Sequence, residues 1–141
     1  DIDQEIEKRL GMKISKIFEK KGEKYFREIE ELTTLKLLKK SKTVISLGGG
    51  AFLNKNIRDE ILKSHISFWL NLDIKTLISR IKNSPKRPIA FNASNNELID
   101  LIKKRSNIYS KALYEINCNN LKKFQIVNKI INIYENDRIK S

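Results

Sequence analysis

Residues 43–50 read TVISLGGG, a short run of β-branched and apolar residues that three consecutive glycines stop. Such a run predicts a buried β-strand that ends in a tight turn. Ligands of open α/β proteins bind at the carboxyl ends of such strands. Glycine lets the backbone approach a ligand closely and offer its N–H groups. A turn alone usually needs one glycine, so Gly48, Gly49 and Gly50 favour a binding loop over a plain turn.

Helices and strands alternate on both sides of this loop. Helical spacing of apolar residues predicts helices over 4–10, 13–21, 23–40, 54–63, 73–83, 97–111 and 121–135. A second apolar strand is predicted at 66–72 and a short third strand at 114–118. The apolar stripe of the long helix is predicted at Phe26, Ile29, Leu32, Leu35 and Leu38. This alternation implies βαβ units, a parallel sheet covered on both faces, and one domain over 1–141.

The composition narrows the class of protein. The 141 residues are 40% hydrophobic and 33% charged, as in ordinary soluble domains. No run of about 18 apolar residues occurs, so we expect no membrane partner. The single cysteine, Cys118, cannot form an internal disulfide, which indicates the cytoplasm. The net charge of +12 raises the alternative of a nucleic-acid binder, but the lysines are spread over every segment without interleaved aromatics, so we expect no nucleic-acid partner.

Arginine is scarce among the basic residues, which makes its positions informative. Only seven of the 29 basic residues are arginine, and one of them, Arg27, lies in FREIEE at 26–31. An ion pair on a helix surface needs only a cation, which lysine supplies. A planar guanidinium, in contrast, grips a carboxylate or phosphate through two hydrogen bonds. Arg27 therefore binds either a ligand or its neighbours Glu30 and Glu31.

Two further patterns point to phosphate chemistry, each with an ordinary alternative. Asp1 and Asp3 of DID are expected to be extended and to point the same way. They could then hold a hydrated Mg²⁺ and accept a hydroxyl proton, although acids before a helix are also common caps. SPKRP at 84–88 places Arg87 between prolines in a predicted loop over 84–96. A cation there suits a lid that closes over phosphates, although any basic loop has this appearance.

In order and spacing these segments resemble the shikimate kinase family. The resemblance runs from residue 1 to about 135 and is carried by DIDQEIE (1–7), ISKIFEKKGEKYFREIE (14–30), VISLGGGAF (44–52), RPI (87–89) and RSNIY (105–109). It implies an α/β fold with the three-layer, doubly wound parallel sheet of P-loop kinases. It also implies ATP-dependent phosphorylation of shikimate to shikimate 3-phosphate, a step of chorismate and aromatic amino-acid biosynthesis, with ATP and Mg²⁺ as cofactors.

The resemblance assigns roles position by position. Asp3 matches the general base that also binds shikimate hydroxyls, and Asp1 matches a neighbour in the Mg²⁺ shell, acting through water. Arg27 and Arg105 match the two partners of the shikimate carboxylate. The remaining matches are Gly48, Gly49 and Gly50 in the substrate loop, Phe18 and Phe26 as walls of the shikimate pocket, Arg87 at the ATP phosphates, Arg80 beside adenine, and, as a weak match near the metal, Ser46.

The chain departs from the family pattern ahead of DID. The family begins with a strand, a G-x-x-x-x-G-K-S/T loop and a helix, and this motif does not occur in the 141 residues. We therefore expect a copy that lacks about 30 residues, including the P-loop and the first strand. The family's strand order, 2-3-1-4-5, makes that strand the central one, so residues 43–47 and 66–70 should not pair directly. The fragment alone is expected to be inactive, and the complete protein a monomer.

Two other functions remain open from the sequence. Another small-molecule kinase of the same fold, such as a gluconate kinase, would explain the strands, the lid and the arginines. It would not explain Arg27 together with Arg105 and the triple glycine. A non-catalytic shikimate-binding relic would suit the missing phosphate loop. The retention of Asp3 and of three arginines, at 27, 87 and 105, argues against it.

Overall fold

The computed structural model describes residues 1–82 and 93–140. The chain divides into two compact units, Asp1–His65 and Ile66–Ser141. Arg87 and most of the predicted 84–96 lid lie outside the described residues. The assignment of 1–141 to a single domain stays a prediction. No helix in the described part of the chain combines the length and hydropathy that crossing a membrane requires.

The first unit is built from three α-helices. Helix α1 spans Ile2–Leu10, α2 spans Ile14–Leu38, and α3 spans Lys55–Ser64 after a 3₁₀ turn at Ala51–Leu53. Their ends follow local chemistry: Gly11 closes α1 with a left-handed backbone, φ 60°, and Asn54 caps α3 by accepting from the Ile57 N–H. The two predicted helices at 13–21 and 23–40 are continuous in α2 except at Gly22, where φ 81° and ψ 171° break the helical path.

The core of the first unit lies between α1 and α2. Ile2, Ile6, Ile17 and Phe26 are buried there, and Ile45 and Leu47 pack against them. The predicted stripe of α2 is wrong at Leu32, which is 57% exposed, while Glu30, Thr33 and Thr34 are buried. The reason is geometric, because steps of three residues drift around a helix that repeats every 3.6 residues.

The TVISL segment is not a paired strand in the described residues. Residues 43–48 belong to no β-ladder, and Val44 is 98% exposed. The burial still alternates, since Ile45 and Leu47 face the core and Ser46 is exposed. The prediction of a buried ladder strand is therefore wrong here, because a ladder needs a partner for its backbone groups.

In its described residues, 66–82 and 93–140, the second unit contains two parallel strands and three helices. Strand β1, Phe68–Asn71, pairs with β2, Tyr114–Asn117, in the register Phe68 to Tyr114. The helices are α4 at Ile74–Lys82, α5 at Asn95–Tyr109 and α6 at Lys123–Lys140. A small core joins α4 to α5 through Ile81, Leu98 and Ile102. The predicted strands at 66–72 and 114–118 are confirmed within a residue or two at each end, as is the parallel pairing.

Candidate functional site

The glycine loop lies against three charged side chains of the first unit. A methyl group on Gly50 would lie 2.7 Å from Arg27 Cζ and 2.9 Å from Arg27 Nη2. A methyl group on Gly48 would lie 3.4 Å from Asp3 Oδ1 and 3.5 Å from Glu30 Oε1. The loop thus has a guanidinium at one end and carboxylates at the other. Gly50 is needed for the close approach of Arg27, since any larger residue would occupy that space.

Arg27 is hydrogen-bonded to two glutamates, which leave some of its N–H groups unused. Its Nη1 donates to Glu30 Oε2 at 2.7 Å, while Nε and Nη2 donate to Glu23 Oε1 at 3.3 and 3.2 Å. Its Cζ lies 5.2 Å from the centroid of the Phe26 ring. A guanidinium has five N–H groups, so these three bonds leave two for a ligand. Of the two glutamates that the sequence offered as partners, Glu30 binds Arg27, whereas Glu31 binds Asn54 and Asn56.

Glu30 is the buried member of this pair, and it was missed as a site residue. It is only 2% exposed. Burial raises the pKa of its carboxyl group, and the contact with Arg27 opposes that rise. Burial lowers the pKa of Arg27, but its bonds to Glu30 and Glu23 outweigh this, so its pKa is raised. The i, i+3 spacing from Arg27 was a usable signal for the contact, although it could not show that Glu30 is buried.

Asp3 and Asp1 are placed differently from each other. The prediction that DID is extended is wrong, because Asp3 lies in the first turn of α1. Asp1 is the N-cap of that helix, and its Oδ1 accepts from the Gln4 N–H at 3.1 Å. The start of α1 is tied to the glycine segment by the Ile2 N–H, which donates to the Ser46 carbonyl at 3.1 Å. Asp3 is therefore anchored beside Gly48, while the metal roles of Asp1 and Ser46 stay predictions.

Two aromatic rings form an apolar surface next to Arg27. The centroids of Phe18 and Phe26 are 4.7 Å apart, with 39° between the ring planes. Phe26 is buried and also contacts the Arg27 guanidinium. The two predicted walls of the pocket are thus brought together by α2, and the surface adjoins a cation.

Side-chain hydrogen bonds hold the segment that follows the glycines. Arg58 Nη1 donates to the carbonyls of Phe52 and Leu53 at 3.1 and 3.0 Å, which satisfies the end of the 3₁₀ turn. Glu31 binds the side-chain amides of Asn54 and Asn56 at 2.6 and 2.7 Å. These contacts were not predicted, because they join side chains to backbone carbonyls and side-chain amides that no sequence motif specifies.

Other predicted site residues lie in the second unit. Arg105 is on α5, and its buried Nε has no hydrogen-bond partner among the described residues. Arg80 is exposed in the last turn of α4. Burial raises the pKa of the Cys118 thiol, which directly follows β2, and the positive charges of Arg80 and Lys129 oppose this rise. Arg105 is the only one of these arginines with a buried, unpartnered donor in the described residues.

The described residues do not build a site for the phosphates of a nucleotide. The G-x-x-x-x-G-K-S/T motif does not occur in the sequence. Within 1–82 and 93–140, no three His, Cys, Asp or Glu side chains cluster as metal ligands.

The close approach at Gly50 leads to a first prediction. Gly50→Ala should weaken binding of an anionic ligand about 10-fold or more, because Arg27 must move and a charge-assisted bond is lost. The fold should be little affected, since φ −94° and ψ −27° at Gly50 suit any residue. Gly48→Ala is the matched comparison, with a methyl at ordinary contact distance from Asp3. Equal losses of affinity in the two variants, measured by calorimetry, would contradict this reading of the loop.

Comparisons with known proteins identify the family of this chain. The family profile described as shikimate kinase matches residues 1–135. A shikimate kinase of Bartonella quintana is 39% identical over 137 residues, and one of Persephonella marina is 35% identical over 131 residues. These matches cover 96% and 93% of this chain. The chain spans 65% of the length of the B. quintana protein, 56% of a B. henselae relative and 79% of the P. marina protein.

Solved structures give the same result for the fold. The shikimate kinase of Aquifex aeolicus is 30% identical and superposes with a TM-score of 0.87 over 100% of this chain and 83% of its own. The Acinetobacter baumannii enzyme, solved in complex with shikimate, is 28% identical and gives a TM-score of 0.85 over 97% of this chain and 78% of its own. The α/β fold of the P-loop kinases is therefore confirmed, with a small parallel sheet in the described residues. The chain belongs to the shikimate kinase family.

Proposed function

We propose that this chain forms the acceptor-binding part of an ATP-dependent shikimate kinase, which converts shikimate to shikimate 3-phosphate in chorismate and aromatic amino-acid biosynthesis. The observation that carries the proposal is the placement of Arg27 at Gly50 and of Asp3 at Gly48, on one short loop. Shikimate carries a carboxylate on one side of its ring and hydroxyls on the other. A cation and a carboxylate at opposite ends of a loop match that distribution of groups.

Arg27 serves as the carboxylate clamp in this proposal. The two N–H groups that Glu23 and Glu30 leave unused suit a bidentate bond to a carboxylate. Glu30 fixes the guanidinium from the buried side and partly neutralises it. On the family match alone, Arg105 is proposed as a second partner of the same carboxylate. The Phe18 and Phe26 rings give the shikimate ring an apolar surface.

Asp3 serves as the general base toward the hydroxyl that is phosphorylated. Its carboxylate can accept the hydroxyl proton while the glycine loop supports the ring. Gly49 is proposed as the direct backbone contact of that loop. Rate enhancement in phosphoryl transfer comes mainly from positioning and charge neutralisation. The rigid anchoring of α1 by Ile2 and Ser46 therefore contributes directly, because it holds Asp3 in place.

The donor half of the reaction is proposed on the family match alone. ATP would supply the phosphoryl group, with Arg87 at its phosphates, Arg80 near adenine, and Asp1 and Ser46 close to Mg²⁺. We further propose a monomeric enzyme of the cytoplasm, without nucleic-acid or membrane partners.

A gluconate kinase and a non-catalytic binding relic are the competing functions. The three can be separated with the joined enzyme, defined here as this chain fused at Asp1 to the whole segment, of about 30 residues and including the P-loop, that precedes the matching position in a shikimate kinase relative. Calorimetric titration should show binding of shikimate and no binding of gluconate at the same concentration. Binding of gluconate in preference to shikimate would reject the proposed acceptor. Binding of shikimate without turnover would support the relic.

A further inference from the structure

The Phe18–Phe26 contact cannot form on a straight helix. Residues eight apart on an α-helix are separated by about 12 Å along its axis, at 1.5 Å per residue. Their Cα–Cβ bonds also tilt the same way, toward the N-terminus, so the two rings would not converge. The observed separation of the ring centroids is 4.7 Å. A departure from helical geometry between the two residues is therefore required.

Gly22 supplies that departure. It lies midway between the rings, and its φ of 81° and ψ of 171° are the only non-helical angles inside α2. This combination of angles is essentially restricted to glycine. A Cβ on Gly22 would meet no atom within 4 Å, so space does not explain the glycine, whereas the backbone conformation does. Both flanking segments are helical, so a residue that prefers helical angles would favour one straight helix.

We propose that Gly22 is a positioning residue for the substrate pocket: its kink folds Phe18 onto Phe26 and thereby builds the apolar wall beside Arg27. The inference rests on the proposed function, since it takes the pocket to be that of shikimate. Gly22 does not touch the substrate in this proposal. It acts through the ring of Phe18, whose position depends on the kink.

The test is Gly22→Ala in the joined enzyme. We expect the KM for shikimate to rise about 3- to 10-fold, the range that loss of one aromatic contact gives, with the KM for ATP unchanged. Gly11→Ala is the matched control, because Gly11 also has a positive φ, 60°, and no atom within 4 Å of a Cβ, but it closes α1. Both variants should lower Tm by a few degrees, and only Gly22→Ala should change the KM for shikimate.

A double-mutant cycle separates positioning from general loss of stability. Phe18→Leu should raise the KM for shikimate to the same extent as Gly22→Ala, and the double variant should be no worse than either single one. Additive effects would show that Gly22 does not act through Phe18, and would overturn the inference. So would a Gly22→Ala enzyme with lowered Tm and unchanged KM. If Gly22→Ala does not fold, Phe18→Leu decides alone, because an unchanged KM in that variant removes the contact through which Gly22 is proposed to act.

These experiments distinguish failure of the role proposed for Gly22 from failure of the proposed function. If the unsubstituted joined enzyme does not bind shikimate, the proposed function fails before Gly22 is tested. If that enzyme binds shikimate and Gly22→Ala binds it equally well, only the role of Gly22 is rejected. An NMR measurement of contacts between the Phe18 and Phe26 ring protons adds a readout independent of substrate. The contact should be present in the unsubstituted enzyme and lost in Gly22→Ala.

Discussion

Asp3→Asn should reduce kcat of the joined enzyme by two to four orders of magnitude, the usual contribution of a positioned general base. An amide has nearly the shape of a carboxylate but cannot take the hydroxyl proton. Binding of shikimate should change much less than kcat, because the amide can still hydrogen-bond a hydroxyl. The two quantities are separated by steady-state kinetics and by calorimetric titration of shikimate.

Two nearby acids are compared with Asp3: Glu5 as a control, and Asp1 as a residue with a different proposed role. Glu5→Gln removes an exposed carboxylate from the first turn of α1 and should leave kcat unchanged. Asp1→Asn should alter the dependence of rate on Mg²⁺ concentration instead, if Asp1 belongs to the metal shell. The same kinetic profile in Asp1→Asn and Asp3→Asn would mean that the proposed division of roles between the two aspartates is incorrect.

Arg27→Lys should raise the KM for shikimate by about 30- to 150-fold, which corresponds to about 2–3 kcal/mol of lost binding free energy. An ammonium cannot reproduce two parallel bonds to a carboxylate. Lysine is the appropriate substitution because its charge can still compensate the buried Glu30, whose side chain is 3% exposed. A neutral residue would leave that carboxylate without a countercharge, so lost stability would be confused with lost binding.

Chemical modification of the substrate gives an independent check on Arg27. The methyl ester of shikimate lacks the negative charge, so it should bind the unsubstituted enzyme far more weakly than shikimate does. In Arg27→Lys the difference between ester and acid should shrink. Arg9→Lys, on α1 with a long contact of 3.5 Å to Thr33, is the control for a general effect of replacing arginine. An unchanged KM for shikimate in Arg27→Lys would remove the carboxylate clamp from the proposal.

The sequence identified the glycine loop, Arg27 and the order of helices, since these depend on local signals. Three consecutive glycines after an apolar run indicate a binding loop, because a turn alone usually needs one glycine. An arginine in a chain whose basic residues are mostly lysines is similarly informative, because only its planar guanidinium can make two parallel hydrogen bonds to a carboxylate or phosphate. What the sequence could not show is burial that depends on the exact helical period. The spacing predicts Glu30 as a surface partner of Arg27, whereas Glu30 is 2% exposed, bonds to Arg27 and lies 3.5 Å from the position of a methyl group on Gly48.

Two errors have a common physical cause, which is that backbone conformation depends on partners distant in sequence. DID has the alternation of an extended segment, but the Ile2 N–H bonds to the Ser46 carbonyl and Asp3 enters α1. TVISL has the composition of a strand, but no described residue pairs with it in a ladder. The β-propensity of a segment shows that it can form a strand. Whether it does so depends on a neighbouring strand that can pair with its backbone N–H and C=O groups.

Product analysis of the joined enzyme decides between a shikimate kinase and the competing functions. The enzyme is incubated with ATP, Mg²⁺ and either shikimate or gluconate, and phosphorylated products are identified by mass spectrometry and ³¹P NMR. We expect shikimate 3-phosphate in equal amount to ADP, no phosphogluconate, and no product from the 141-residue chain alone. Preferential phosphorylation of gluconate, or release of ADP without a phosphate ester on shikimate, would contradict the assignment of Asp3, Arg27 and the glycine loop as a shikimate site.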